Sequence, residues 1–169
     1  MMSLGLPAIQ AVTSQRINST TRKLTGMVRS IRNDAILLNL IHRLVINFDE
    51  QTWWIESQKK FSLLEDPAEQ EKKKKKKDDI VQDTNFTFAT KYCKEPLKLP
   101  SGVAFSGILA EKDGFINKGI VYVHFFPNGF SDQTILYMNK EGSEKVFYSL
   151  ILRPTSGKVD LVAGKAEGF

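Results

Sequence analysis

His42, His124, Cys93 and the acids Asp78, Asp79 and Asp83 are the residues on which this 169-residue chain would have to build a reaction or a metal site. Neither histidine has a Cys, His, Asp or Glu neighbour at metal-ligand spacing, so zinc chemistry finds no ligand set. A Cys–His nucleophile would need Cys93 beside one of them in space, and no feature of the sequence brings them together. The segment Gly102-Val103-Ala104-Phe105-Ser106-Gly107 lacks the Lys-Ser/Thr pair and the following helix of a phosphate loop, and Lys23-Leu24-Thr25-Gly26 is not one either. Asp78-Asp79 and Asp83 do not alternate with a glycine as calcium-loop carboxylates do. The sequence therefore predicts no enzyme, no metal and no cofactor. Trp53 and Trp54 must point to opposite faces of a strand, one into the core and one exposed, and the exposed one is a candidate protein contact.

The elements that would position these residues are of two kinds. Over the first 39 residues, Leu6, Ile9, Thr13, Ile17, Thr20, Leu24, Met27, Val28, Ile31, Ala35 and Leu38 recur at steps of three and four, which is the period of one helix face. Arg22, Arg29, Arg32 and Asn33 fall opposite. A helix of about 36 residues would run roughly 54 Å. A head of this size cannot cover that length, so part of the stem is expected to project and to need a partner or lipid on its apolar stripe. No polar N-cap with following acids marks its beginning, since Ser3 is the sole candidate and the first acid is Asp34. The natural chain is therefore expected to continue upstream.

After Leu38 the period shortens to two. Residues 43–48 and 52–56 read as a hairpin, 86–90 as a short strand, and 97–103 as an extended segment turning at Pro-Ser-Gly into a strand over 103–110. Residues 119–126, 133–139, 144–153 and 158–163 read as four strands separated by Pro127-Asn128-Gly129, Glu141-Gly142-Ser143 and Thr155-Ser156-Gly157, a spacing that predicts an antiparallel meander. Three sets of alternating residues are expected to share a face: Val121, Val123 and Phe125; Phe147, Ser149 and Ile151; Val159, Leu161 and Ala163. The fold class predicted is α+β, a long helical stem (residues 1–42) packed on an antiparallel β head (43–169), within one domain-sized core. Between about residues 59 and 85 the pattern is lost. Six consecutive lysines at 72–77 are cancelled by Glu65, Asp66, Glu69, Glu71, Asp78 and Asp79, so this stretch reads as a solvated loop or a short charged helix.

Charge is unevenly placed. Residues 1–48 carry Arg16, Arg22, Lys23, Arg29, Arg32 and Arg43 against Asp34 alone, whereas the remainder balances 18 basic against 18 acidic residues. A basic stem suits an anionic membrane surface, acidic neighbours in an assembly, or nucleic acid, and equally a merely solvated helix face. With Cys93 the only cysteine there is no intrachain disulfide, which is compatible with either side of a membrane. No apolar run reaches the ~20 residues of a spanning helix, and no signal peptide is recognisable.

The run Leu24-Thr25-Gly26-Met27-Val28-Arg29-Ser30-Ile31-Arg32-Asn33-Asp34-Ala35-Ile36, followed by Leu44-Val45-Ile46-Asn47-Phe48-Asp49, resembles the GspH/FimT family of minor pseudopilins. Two later segments are similar to the same family: Val123-His124-Phe125-Phe126-Pro127-Asn128-Gly129 to its Phe-x-Pro-x-Gly strand end, and Leu152-Arg153-Pro154-Thr155-Ser156-Gly157-Lys158-Val159 to its penultimate turn. The family's prepilin leader and apolar helix half are absent, and Ser3-Leu4-Gly5-Leu6-Pro7 looks like the last turn of that half, where a proline often bends the helix. The charged stretch between 59 and 83 departs from the family pattern.

The resemblance implies an assembly subunit without chemistry. It implies an anchor in the inner membrane of a Gram-negative bacterium through the missing apolar half, a periplasmic head, maturation by a prepilin peptidase with methylation, and packing with other pseudopilins through the stem into a fibre that pushes folded substrates through an outer-membrane channel. The stem residues it points to are Leu6, Pro7, Ile9, Ile17, Leu24 and Ile31, the upper ones packing on the sheet and the lower ones on fibre neighbours. On this expectation Ile9→Asp and Ile17→Asp would both disturb assembly and spare the head. One alternative is a FimT-like minor pilin that binds DNA for uptake, with Arg153, Lys158 and Lys165 as contacts. Another is a non-enzymatic cytosolic binding module with an ordinary core helix.

Overall fold

A computed structural model describes residues 6–58, 85–155 and 159–168, with side chains from residue 14 onward. The lysine run at 72–77, Asp78, Asp79, Asp83 and Lys158 lie outside the described residues, as do the side chains of Leu6, Pro7 and Ile9. The chain opens with helix α1 (Leu6–Leu38) and continues in strands β1 (His42–Asn47), β2 (Thr52–Gln58), β3 (Phe86–Phe88), β4 (Leu97–Lys98), β5 (Val103–Ala110), β6 (Gly114–Ile116), β7 (Ile120–Phe125), β8 (Thr134–Lys140), β9 (Val146–Leu152) and β10 (Val159–Ala163).

The helix forms along the predicted stripe. Ile17, Leu24, Val28, Ile31 and Ala35 are all buried at one-helix-face spacing, and each large aliphatic on it contributes about 1.5–3 kcal/mol by leaving water. Thr20 and Thr21 fall on the same buried face and satisfy their hydroxyls within the helix, donating to the carbonyls of Arg16 (2.8 Å) and Ile17 (2.7 Å). The helix stops because Asn39 turns left-handed (φ 53°), which lets the Leu40 amide donate to the Ala35 carbonyl at 3.3 Å, a Schellman closure. Leu38, expected on the stripe, sits past its end and is 49% exposed.

Two antiparallel sheets close on this helix. The first runs β3-β2-β1-β7, with β4 also on β2; the second runs β10-β9-β8-β5-β6. The stripe touches β1 and β7 of the first and β5, β8, β9 and β10 of the second, so both sheets and the helix share one apolar core.

The predicted four-strand meander is therefore corrected. Only β8, β9 and β10 form it, while β7 pairs with β1 in the other sheet, Leu44 facing Val123 and Ile46 facing Val121. The Pro127-Asn128-Gly129 turn carries the chain across: the Gly129 amide donates to the Phe126 carbonyl and the Phe126 amide to that of Phe130, both at 2.9 Å, with Gly129 at φ +83°. Val121, Val123 and Phe125 do share the buried face. In β9 the core face belongs to Leu150 and Leu152 instead, and buried Ser149 points the other way, donating to the Gly164 carbonyl at 2.7 Å. Leu161 and Ala163 are exposed in β10, the edge strand of its sheet. Strand β6, unforeseen, pairs with β5 as a three-residue hairpin arm.

Gly26 lies on the outer face of α1, and a Cβ built there meets nothing within 4 Å. Gly26→Ala should therefore stabilise the folded chain by about 1 kcal/mol, raising Tm by roughly 2–4 °C in a thermal melt, because glycine is the poorer helix former.

Candidate functional site

Of the residues capable of chemistry, the three described ones, His42, His124 and Cys93, each make a contact within the fold. His42 is buried, with Nδ1 facing the Leu40 carbonyl at 3.2 Å. His124 Nδ1 lies 2.8 Å from Asp132 Oδ2, which also accepts the His124 backbone amide at 2.9 Å, so this pair staples the end of β7 to the turn before β8. Cys93 is buried against β2: its sulfur accepts the Ile55 amide at 3.4 Å, and burial pushes its thiol pKa up, away from the reactive thiolate. Among the described residues no group of three or more His, Cys, Asp or Glu gathers to hold a metal.

What the fold builds instead is a helix bolted to its head with one face left open. Three contacts make the bolts. Arg16 Nη1 donates to Ser101 Oγ at 2.6 Å and to the Ser101 carbonyl at 3.2 Å. Arg32 Nε donates to the Gly129 carbonyl at 2.8 Å, which places it against the head and corrects its expected position on the free face. The third is buried: Asp34 Oδ2 accepts Lys91 Nζ at 2.6 Å and Tyr92 Oη at 2.7 Å, and Tyr92 Oη in turn accepts the Ser30 hydroxyl at 3.2 Å. Burial alone would raise the Asp34 pKa, but the hydrogen bonds from Lys91 and Tyr92 outweigh it and hold the carboxyl below its ordinary value. For Tyr92, burial and the adjacent carboxylate push the phenol up to about 12.

Asp132 behaves like Asp34, burial being outweighed by the two hydrogen bonds from His124. Both carboxyls thus have folded pKa values below the unfolded ~3.9. Their stabilisation is fully present above that value and is lost as pH falls through the folded ones. Tm should stay level from pH 7 to about 5 and drop below about 4, and Asp34→Asn should flatten that drop in an acid titration of the melt.

The expected stem residues divide at the head. Ile17, Leu24 and Ile31 are 0%, 1% and 0% exposed beneath the chain's own sheets. Ile17 consequently belongs to the head's core, not to a projecting lower stem, because Ile17 and Thr21 already lie within the reach of β8: Thr21 Oγ1 is 3.6 Å from Met138 Sδ. At the other end Ile36, Leu37 and Leu38 are 42%, 78% and 49% exposed, and Phe130, after the Gly129 turn, is 45% exposed.

Sequence reasoning missed a second feature, the outer face of the first sheet. Arg43, counted with the stem's charges, is a buried residue of β1. Its Nε donates to Glu56 Oε2 at 2.7 Å, and its guanidinium lies 3.9 Å from the Phe86 ring centroid and 4.3 Å from that of Tyr122. Glu56 Oε1 accepts Trp54 Nε1 at 2.7 Å, and Trp54 stacks on Phe88. Trp54 is thus half-buried rather than the exposed aromatic expected. Period-two alternation placed these side chains on one face; no local signal showed that they would converge on an arginine.

Arg153 Nε donates to Asp160 Oδ2 at 2.7 Å, Lys165 is exposed in the C-terminal segment, and Lys158 is not among the described residues.

Among the solved structures that resemble the fold are two of the minor pseudopilin EpsH from the type II secretion system of Vibrio cholerae. One aligns with a TM-score of 0.63 at 9% identity, covering 90% of this chain and 97% of that one; the other aligns at 0.63 and 10%, covering 90% and 99%. No protein-family model and no curated protein matches the chain. At such identities the likeness establishes the fold: the helix laid across antiparallel sheets is the pseudopilin fold. Among the described residues no helix is long and apolar enough to cross a membrane.

Proposed function

We propose that this chain is a minor pseudopilin, a structural and non-catalytic subunit of a type II secretion pseudopilus that helps move folded proteins across the outer membrane. The observation that carries the reading is that the likeness to EpsH spans helix and head together, over nearly the full length of both chains. On this reading the work is mechanical. A fibre subunit must pass axial force from a stem shared with its neighbours into a head, and the bolts at Arg16, Arg32 and Asp34 are spaced along α1 where such shear would act. An apolar helix half upstream would anchor the subunit in the inner membrane, a prepilin peptidase would mature it, and the head would stand in the periplasm. Leu6, Pro7 and Ile9 would face other pseudopilins, while Ile17, Leu24 and Ile31 hold the stem in its own head.

Cross-linking in cells tests this. An Ile9→Cys variant, paired with cysteines in the stems of the host's other pseudopilins, is expected to give disulfide adducts that require an intact secretion system; buried Cys93 does not compete. Absence of adducts, together with unimpaired secretion after deletion of the gene, would sink the reading.

A further inference from the structure

One strip of the second sheet is dry on the side turned away from α1. Ile135, Tyr137 and Ser149 alternate with Leu136, Met138 and Leu150 of the common core, so they point outward, yet they are 0%, 2% and 0% exposed. Paired residues run across this outer side from Val162 of β10 through Ser149 and Tyr137 to Gly107 of β5. Ser149 and Gly107 are small, so the row dips on either side of Tyr137. The Phe115 ring fills the dip at Gly107, occupying the place of the missing Cβ.

The dip at Ser149 is filled by the chain's own C-terminal segment. Gly164 turns left-handed (φ +83°), and the chain passes from β9 toward β8. Ser149 Oγ donates to the Gly164 carbonyl at 2.7 Å and accepts the Ala166 amide at 2.9 Å, while Tyr137 Oη donates to the Ala166 carbonyl at 2.9 Å. Segment and seat are unequally committed. Gly164, Lys165, Ala166, Glu167 and Gly168 bring no large apolar side chain, and hydrogen bonds of this kind are each of modest net worth. The seat does not stay empty cheaply, because without the segment two buried hydroxyls lose their backbone partners. A segment that leaves easily thus lies in a groove that demands a peptide backbone, small where it crosses Ser149.

We propose that two copies of this chain exchange these segments, each laying residues 164–166 on the Ser149 and Tyr137 of the other. The occupant follows from what is already seated there, since a second copy carries the same backbone and the same small residues. Such an exchange is isologous and closes at two copies. Five residues span at most about 17 Å, so the swap draws the two β10 strands together. Those are open edges. The Gly164 amide donates to the Phe147 carbonyl at 2.9 Å, and by alternation the N–H and C=O of Val159, Leu161 and Ala163 point away from β9, beside the exposed Leu161 and Val162. The inference does not depend on the assembly reading, for it needs no other protein.

The probe is a synthetic peptide of residues 164–168, titrated by NMR at millimolar concentration into the chain ended after Ala163. It is expected to shift the Ser149 and Tyr137 amides, and to bind at least about tenfold more weakly to the full chain, whose own segment competes, and to the shortened chain carrying Tyr137→Phe/Ser149→Ala. If the shortened chain does not fold alone, the peptide must restore its melt. In sedimentation, the shortened chain and full-length Tyr137→Phe/Ser149→Ala should each run as one chain and together as two. Gly164→Ala, which penalises the left-handed turn of the unexchanged form, should move the full chain toward the two-chain mass. Equal binding to full and shortened chains, or a shortened chain that the peptide neither shifts nor refolds, would overturn the groove. A mixture and a Gly164→Ala chain that both stay at one-chain mass up to about 1 mM would overturn the exchange. None of these results bears on the Ile9→Cys cross-link, so the two readings fail separately.

Discussion

Ile17→Asp is expected to unfold the isolated chain or bring it close to unfolding. The side chain is fully buried in the common core of the helix and both sheets, so the substitution removes its packing and sets a carboxylate in an apolar site with no partner provided. Truncation of a buried isoleucine alone costs about 2–5 kcal/mol, and an unpaired buried charge adds to that. Against a total stability of about 5–15 kcal/mol, a Tm loss of more than about 10 °C follows. Ile17→Val, which keeps the shape and loses one methylene, should cost about 0.5–1.5 kcal/mol. Ile9→Asp, earlier on the same stripe, should leave the melt almost unchanged if the head's core begins at Ile17. Equal losses from Ile9→Asp and Ile17→Asp would show that the core extends down the whole helix.

Arg43→Met should cost about 1.5–3 kcal/mol in a urea titration, since it strips the half-buried Glu56 of its charged hydrogen-bond partner while leaving that carboxylate in place. Met fills much of the space between the Phe86 and Tyr122 rings, so the loss reports the charge more than the volume. The double variant Arg43→Met/Glu56→Gln should recover most of it, because the neutral amide oxygen can still accept the Trp54 indole. A double variant no more stable than Arg43→Met would mean that the cation stacked between two rings, and not the ion pair, holds this face.

The helix was legible in the sequence because its signal is local. Residues three and four apart declare a face without reference to anything else, and every apolar stripe residue from Ile17 to Ala35 is at least partly buried. The same continuity hid where the buried part of the stripe lies: nothing in the period singles out Ile17, and only the sheets show that it is covered. Strand existence was equally plain from alternation, but alternation names a face and not a partner. Strand β7 therefore looked like a member of the meander beside it, when its partner β1 lies far back in the chain. Arg43 illustrates the remaining gap. Its charge was visible and its fate was not, since Glu56, Phe86 and Tyr122 come from three different strands. Arg22 and Arg29, which no carboxylate among the described residues engages, were countable from the start, and the structure separates them from Arg16 and Arg32 by showing which cations the head uses.

The pairing of β1 with β7 also has a bearing on the order in which the molecule can come into being. Translation delivers the helix first and the strands that cover it last, for the stripe needs β8, β9 and β10 as well as β1. At about 5–20 residues per second, the chain spends roughly ten seconds with an apolar helix emerged and no sheet to receive it. The first sheet cannot close until β7 is out, and such non-local pairing is slow once it is possible. The nascent stem is thus the part of this protein most in need of a chaperone, and pulse-labelled chains halted before β8 should be held by one.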